Sequence, residues 1–102
     1  CVFQPHRYTR TNFLWDEFVE AFGCADVLIL NDIYSAGEEP IPGITSQRLA
    51  QEIAARKHDH VYVTKERKET VELLEKIVKE GDLALIMGAG DIWQVGRGFL
   101  NR

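Results

Sequence analysis

The chain has 102 residues, 45% of them hydrophobic and 27% charged. A chain of this size forms about one ordinary domain and buries roughly 65% of its unfolded surface, which excludes two separate cores and argues against disorder, a collagen-like repeat or a coiled coil. Twelve Lys and Arg against sixteen Asp and Glu leave a net charge of −4, a field that repels polyanions, so neither a nucleic acid nor an anionic membrane is expected as partner.

Val2 and Phe3 open a short predicted strand that Pro5 ends. Residues 11–22 predict a helix with Leu14, Phe18 and Phe22 on one stripe, stopped by Gly23. The run from Val27 to Leu30 is apolar without alternation, as in a strand buried on both faces of a parallel sheet. Residues 31–44 carry Gly37, Pro40, Pro42 and Gly43 without periodicity and predict a loop of about a dozen residues, a length that is often functional. Thr45 or Ser46 caps a helix that buries Leu49 and Ile53 and runs to about Lys57, and residues 60–64 form a short strand. Residues 66–80 predict an amphipathic helix, with Val71, Leu74 and Val78 inward and Gly81 as its stop. Residues 83–87 read as a second unbroken apolar strand. Gly88, Ala89 and Gly90 make a tight turn, and Asp91 caps a last helix burying Ile92, Val95 and Phe99.

Strands and helices alternate four times, which predicts an α/β fold, a three-layer Rossmann-like domain with a mainly parallel sheet. Ligands of such sheets bind beyond the carboxyl ends of the strands, where residues 6–10, 31–44 and 88–91 should share one rim. Cys1 and Cys24 cannot form a multi-bridge scaffold, and no apolar run reaches membrane-span length, so a reducing, soluble compartment is expected. The chain opens on Cys1 and its only methionine is Met87, so it reads as a piece of something longer.

His6, Arg7 and Arg10 place positive charge at a helix start, where the macrodipole is already positive and each cation costs about 0.3–1 kcal/mol. Within an acidic chain this reads as a site for a carboxylate or phosphate held by charge-assisted bonds. The alternative is that both arginines are solvated or pair with Glu38 and Glu39. The turn at Gly88 and Gly90 resembles the start of a dinucleotide fingerprint, but Trp93 stands where the third glycine belongs; it is either a small-anion cradle or a plain turn. The spacing of His58, Asp59 and His60 matches no standard metal site, and no metal is expected there. Glu72 with Lys76 and Glu75 with Lys79 lie at i, i+4 on a charge-laced helix and read as a solvated face. No Ser-His-Asp pattern, HExxH or Walker A motif is present, so no catalytic residue is assigned within these 102 residues.

Three runs, FQPHRYTRT at 3–11, IYSAGEEPIPG at 33–43 and MGAGDI at 87–92, together resemble the C-terminal domain of the Mur ligases of bacterial peptidoglycan synthesis. The resemblance extends nearly end to end. It implies that residues 1–102 are the amino-acid-presenting domain of a three-domain cytoplasmic enzyme. In such an enzyme MgATP converts the carboxylate of UDP-N-acetylmuramate to an acyl phosphate, and the amine of L-alanine attacks it to form an amide. The N-terminal and central domains would hold the UDP-sugar and MgATP, and this domain would close the cleft. By resemblance, His6, Arg7 and Arg10 surround the incoming alanine, with the arginines on its carboxylate. Tyr34, Glu38, Gly88 and Gly90 belong to loops that line the same cleft. A stand-alone anion-binding or regulatory module without catalysis is the alternative.

Overall fold

A computed structural model describes residues 1–101. Its elements are β1 (Val2–Phe3), α1 (Tyr8–Phe13), α2 (Trp15–Ala21), β2 (Leu28–Asn31), α3 (Ser46–Ala55), β3 (Val61–Thr64), α4 (Arg67–Ile77), β4 (Ile86–Met87) and α5 (Trp93–Leu100). The four strands form one parallel sheet in the order β3-β2-β1-β4. The expected α/β architecture is therefore present.

Alternate residues of β1 and β2 explain why both strands are apolar throughout. Leu28 and Leu30 face one side, where they pack with Val19 and Phe22 and with Leu49, Ala50 and Ile53 of α3. Ile29 and Val2 face the other side and meet Leu74 of α4 and Ile92 and Val95 of the α5 region. A strand between two helical layers has no wet face and so cannot alternate. The chain moves outward from β1 through β2 to β3, then crosses back to place β4 on the opposite side of β1. This reversal opens a crevice between the carboxyl ends of β1 and β4.

Four sequence expectations are corrected. The first helix starts at Tyr8 rather than Thr11, and Leu14 (φ −101°, ψ 16°) divides it in two. Just before the division the Thr11 hydroxyl donates back to the Arg7 carbonyl at 2.7 Å, a contact that bends helices. Helix α4 ends at Ile77, because Val78 is extended and a turn in which Lys79 N–H donates to Asp82 Oδ2 (2.9 Å) takes over; Gly81, at φ 92°, serves that turn. The strand expected over 83–87 is ordered as β4 for only two residues. With β1 as its sole partner among the described residues, β4 is an edge, and Leu83 is 87% exposed. Asp91 does not cap α5: Ile92 holds the cap position without a side-chain bond, and the Asp91 carboxylate lies 3.5 Å from Arg67 Nη2.

The ion pairs among the described residues are Arg48–Glu52, Arg56–Glu20 and Arg67–Asp91, and Glu72, Glu75 and Lys76 of α4, with Lys79 just after it, are all exposed. No helix among the described residues is long and apolar enough to cross a membrane.

Candidate functional site

The three predicted segments do meet at the rim. Beyond β1 the chain continues as Gln4, Pro5 and His6, and His6 forms a parallel bridge with Tyr34 from the loop after β2. Tyr34 N–H donates to the Pro5 carbonyl at 2.9 Å, and Arg7 N–H donates to the Tyr34 carbonyl at 2.7 Å. These bonds stack the imidazole of His6 on the Tyr34 ring, with centroids 5.4 Å apart and planes 11° from parallel. His6 Nδ1 is buried without a protein partner.

Gly90 packs against the same tyrosine. A Cβ placed on it would lie 3.1 Å from Tyr34 Cγ and 3.4 Å from Gln4 Oε1. A Cβ on Gly88 would lie 2.6 Å from Ile92 Cγ2 and 3.2 Å from the Gln4 carbonyl oxygen. Gly88 is thus required by close approach, while Gly90 makes a tight contact with the Tyr34 ring. The turn expected from the sequence is present, pressed onto the His6–Tyr34 pair.

Arg7 precedes α1 at φ 70° and ψ 141°, a backbone region that costs a non-glycine residue about 1–3 kcal/mol. The flanking bonds enforce it: its N–H is taken by Tyr34, and its carbonyl accepts from both the N–H (3.1 Å) and the hydroxyl (2.7 Å) of Thr11. Thr11, fully buried, anchors α1 to the rim from below.

The cost of cations at the α1 start is offset by Glu38. Its carboxylate accepts from Thr9 N–H (3.1 Å) and from the Thr9 hydroxyl (2.6 Å), placing negative charge on the first turn of α1. The Thr9 hydroxyl, then the Thr9 N–H, hold this carboxyl below the ordinary glutamate range, with a smaller attraction from Arg7. Neither Arg7 nor Arg10 forms an ion pair within 4.0 Å among the described residues, and both are exposed. The pairing of arginines with Glu38 or Glu39 is therefore not what the structure shows: Glu38 is spent on Thr9.

Beneath the rim lies a polar network that sequence reasoning did not assign. Gln4 Nε2 donates to Asn31 Oδ1 (3.2 Å) and to the Asp32 carbonyl (3.3 Å). Asn31 Nδ2 donates to Thr64 Oγ1 (3.1 Å) and Thr70 Oγ1 (3.0 Å), and the two hydroxyls lie 2.6 Å apart. Ser46 Oγ completes the set by donating to the Asn31 carbonyl at 2.6 Å. The ends of β1, β2 and β3 are thereby tied to one another. The one available signal was polar residues, Gln4 and Asn31, directly after apolar strand runs.

His58 lies apart from this rim, with Nε2 2.7 Å from the Ala25 carbonyl oxygen. Among the described residues no group of three or more His, Cys, Asp or Glu side chains converges to hold a metal ion.

Comparison with known proteins agrees with this architecture. The chain is 48% identical to the UDP-N-acetylmuramate--L-alanine ligase of Trichlorobacter lovleyi over 99% of its own length and 22% of that protein. It is 53% identical to the ligase of the same name from Pelobacter propionicus over 94% of its length and 21% of that protein, and 48% identical to that of Dictyoglomus turgidum over 99% and 22%. The chain thus spans about a fifth of the length of the relatives it matches. A family model described as Mur ligase, glutamate ligase domain, matches residues 1–90, and with that match the chain belongs to the Mur ligase family.

Proposed function

We propose that residues 1–102 are the C-terminal, amino-acid-presenting domain of an ATP-dependent amide ligase that joins L-alanine to UDP-N-acetylmuramate. The observation that carries this reading is the diversion of Glu38 to Thr9, which leaves the guanidinium groups of Arg7 and Arg10 without a carboxylate in an acidic chain. A ligand carboxylate supplies what is missing, through charge-assisted hydrogen bonds that arginine can make in pairs. In this reading His6, fixed on Tyr34, forms a wall of the notch, and the glycine turn closes its far side. Glu38 holds α1 and the loop carrying Tyr34 together.

MgATP, held by the central domain, would activate the muramate carboxylate as an acyl phosphate. The residues of this chain include no Walker-type phosphate loop, so its own contribution is to bind and orient the amino acid and to close over the other domains. The names of the relatives and the exposed arginines support the same assignment. A cytoplasmic setting follows from it.

The test is kinetic, in a full-length ligase carrying this domain. Losing one charge-assisted bond of about 1.5–3 kcal/mol should raise the KM for alanine roughly ten- to a hundredfold in Arg10→Ala, with kcat little changed. A change confined to the KM for ATP would overturn the carboxylate assignment. The 102-residue chain alone should show no ATP-dependent ligation of alanine to UDP-N-acetylmuramate, because a partial cleft recovers too few contacts to hold its ligands.

A further inference from the structure

The buried amides and hydroxyls beneath the rim have a direction that follows from their protons. The Thr70 hydroxyl donates its one proton to the Glu66 carbonyl at 3.2 Å, so the 2.6 Å contact between Thr64 and Thr70 is a bond donated by Thr64. Neither hydroxyl has a proton left, and both accept from Asn31 Nδ2, Thr70 at 3.0 Å and Thr64 at 3.1 Å. That commitment turns Asn31 Oδ1 toward Gln4. Gln4 must then present its Nε2, which donates to Asn31 Oδ1 at 3.2 Å and to the Asp32 carbonyl at 3.3 Å. The orientation of the Gln4 amide is thus set from the first turn of α4, across β3 and β2.

Gln4 in turn lies under all three segments of the rim. It is buried, two residues before His6. Its Nε2 holds the Asp32 carbonyl, two residues before Tyr34. Its backbone carbonyl and its Oε1 back the glycine turn, 3.2 Å from a Cβ placed on Gly88 and 3.4 Å from one placed on Gly90. The Tyr34–Pro5 bond and the stack of His6 on Tyr34 are therefore the upper rungs of a ladder whose lowest rung is the bond from Gln4 to Asp32. A buried side chain that fixes the distance between two strand ends also fixes the groups that stand on them.

We propose that Gln4 is a positioning residue for the amino-acid site: without touching the ligand, its amide sets the separation of His6 and Tyr34, and so the wall against which the amino acid is held. This rests on the assignment of the arginine notch to alanine. Asn31 acts one step further back. It helps to orient the Gln4 amide, but the Asp32 carbonyl, which only accepts, enforces the same orientation without it. The two residues should therefore differ in what their replacement does.

The test makes the same two variants in the 102-residue chain and in a full-length ligase carrying this domain. Gln4→Met keeps the volume and loses two bonds; Asn31→Leu loses three, to Gln4, Thr64 and Thr70, but spares the bond from Gln4 to Asp32. In the 102-residue chain Gln4→Met should shift the His6 ring resonances, and Asn31→Leu should leave them nearly in place. In the ligase Gln4→Met should raise the KM for alanine by about tenfold with the KM for ATP unchanged, and Asn31→Leu by no more than about twofold. A merely structural role gives the opposite order, in which the variant that loses more bonds suffers more. Gln4→Asn, one methylene short of Asp32, should move both readouts in the same direction as Gln4→Met and serves where that variant does not fold. Unmoved His6 resonances, or an equal or larger effect of Asn31→Leu, overturn the proposal. So does an unchanged KM for alanine in the Gln4 variant where Arg10→Ala raises it, an outcome that leaves the notch assignment standing. A KM for alanine that neither Gln4→Met nor Arg10→Ala changes means that the notch assignment itself has failed, and the proposal falls with it.

Discussion

The Glu38 carboxylate lies 2.6 Å from the Thr9 hydroxyl and 3.1 Å from its N–H, joining the loop after β2 to the first turn of α1 across 29 positions of sequence. Two segments that carry the candidate site are held at their mutual distance by one titratable group. Because its partners are hydrogen-bond donors, the ionised form is the one that holds.

That bond predicts an acid-dependent loosening of the rim. The Glu38 carboxyl lies below its reference value of 4.5 in the folded chain, so its stabilisation is fully present above that value and is lost as the pH falls through the lower, folded one. Amide exchange of residues 8–10 should accelerate in this acid range while the core remains protected. Glu38→Gln should show the faster exchange already at neutral pH and abolish its pH dependence there. Equal exchange in the two proteins at pH 7 would show that the bond does not hold α1.

Arg7 should be a residue whose replacement stabilises the fold and weakens the site. At φ 70° and ψ 141° it occupies a region in which glycine pays no Cβ penalty. Its own backbone bonds to Tyr34 and Thr11 survive substitution. Arg7→Gly is therefore expected to gain about 1 kcal/mol in denaturant unfolding, the strain relieved exceeding the unfolded-state entropy of glycine. In a full-length ligase carrying this domain, the proposed role of Arg7 on the amino-acid carboxylate predicts a raised KM for alanine from the same change. A loss of stability would mean that the guanidinium, rather than the flanking bonds, fixes this backbone.

The two glycines of the turn should differ in tolerance. A methyl on Gly88 meets Ile92 Cγ2 at 2.6 Å and the Gln4 backbone oxygen at 3.2 Å, so neither neighbour can yield without moving β1 or α5. A methyl on Gly90 meets the Tyr34 ring at 3.1 Å, and that ring is 40% exposed and can tilt. Gly88→Ala should cost about 1–3 kcal/mol, as overpacking does, and Gly90→Ala less. The second variant should instead disturb the His6–Tyr34 stack, visible as a shift of the His6 ring resonances.

Much of this was legible in the residues. The unbroken apolar runs at β1 and β2 gave away a sheet covered on both faces, and the placement of glycines and prolines marked the rim segments. What stayed hidden depended on partners far along the chain. The start of α1 at Tyr8 rests on Glu38, the position of Asp91 rests on Arg67, and the Gln4–Asn31 network spans four elements. None of these leaves a periodic trace. Residues 83–85 misled for the opposite reason: their apolar pattern is that of a core strand, but among the described residues β4 has no neighbour beyond it, which leaves them exposed.

That last difference can be measured. Leu49 on α3 is 0% exposed and sits among Leu28, Leu30 and Ile53, whereas Leu83, equally apolar, is 87% exposed just before the edge strand. Leu49→Ala removes buried methylenes and leaves a cavity that the sheet cannot collapse into, at a cost of about 2–5 kcal/mol. Leu83→Ser removes little contact and should change stability in the 102-residue chain by no more than about 0.5 kcal/mol. The comparison separates burial from hydrophobicity, since a scale based on residue type alone assigns the two leucines the same worth. Were Leu83→Ser to destabilise the isolated chain as much as Leu49→Ala, residues 83–85 would have to be packed as an interior strand, and the edge position of β4 would be wrong.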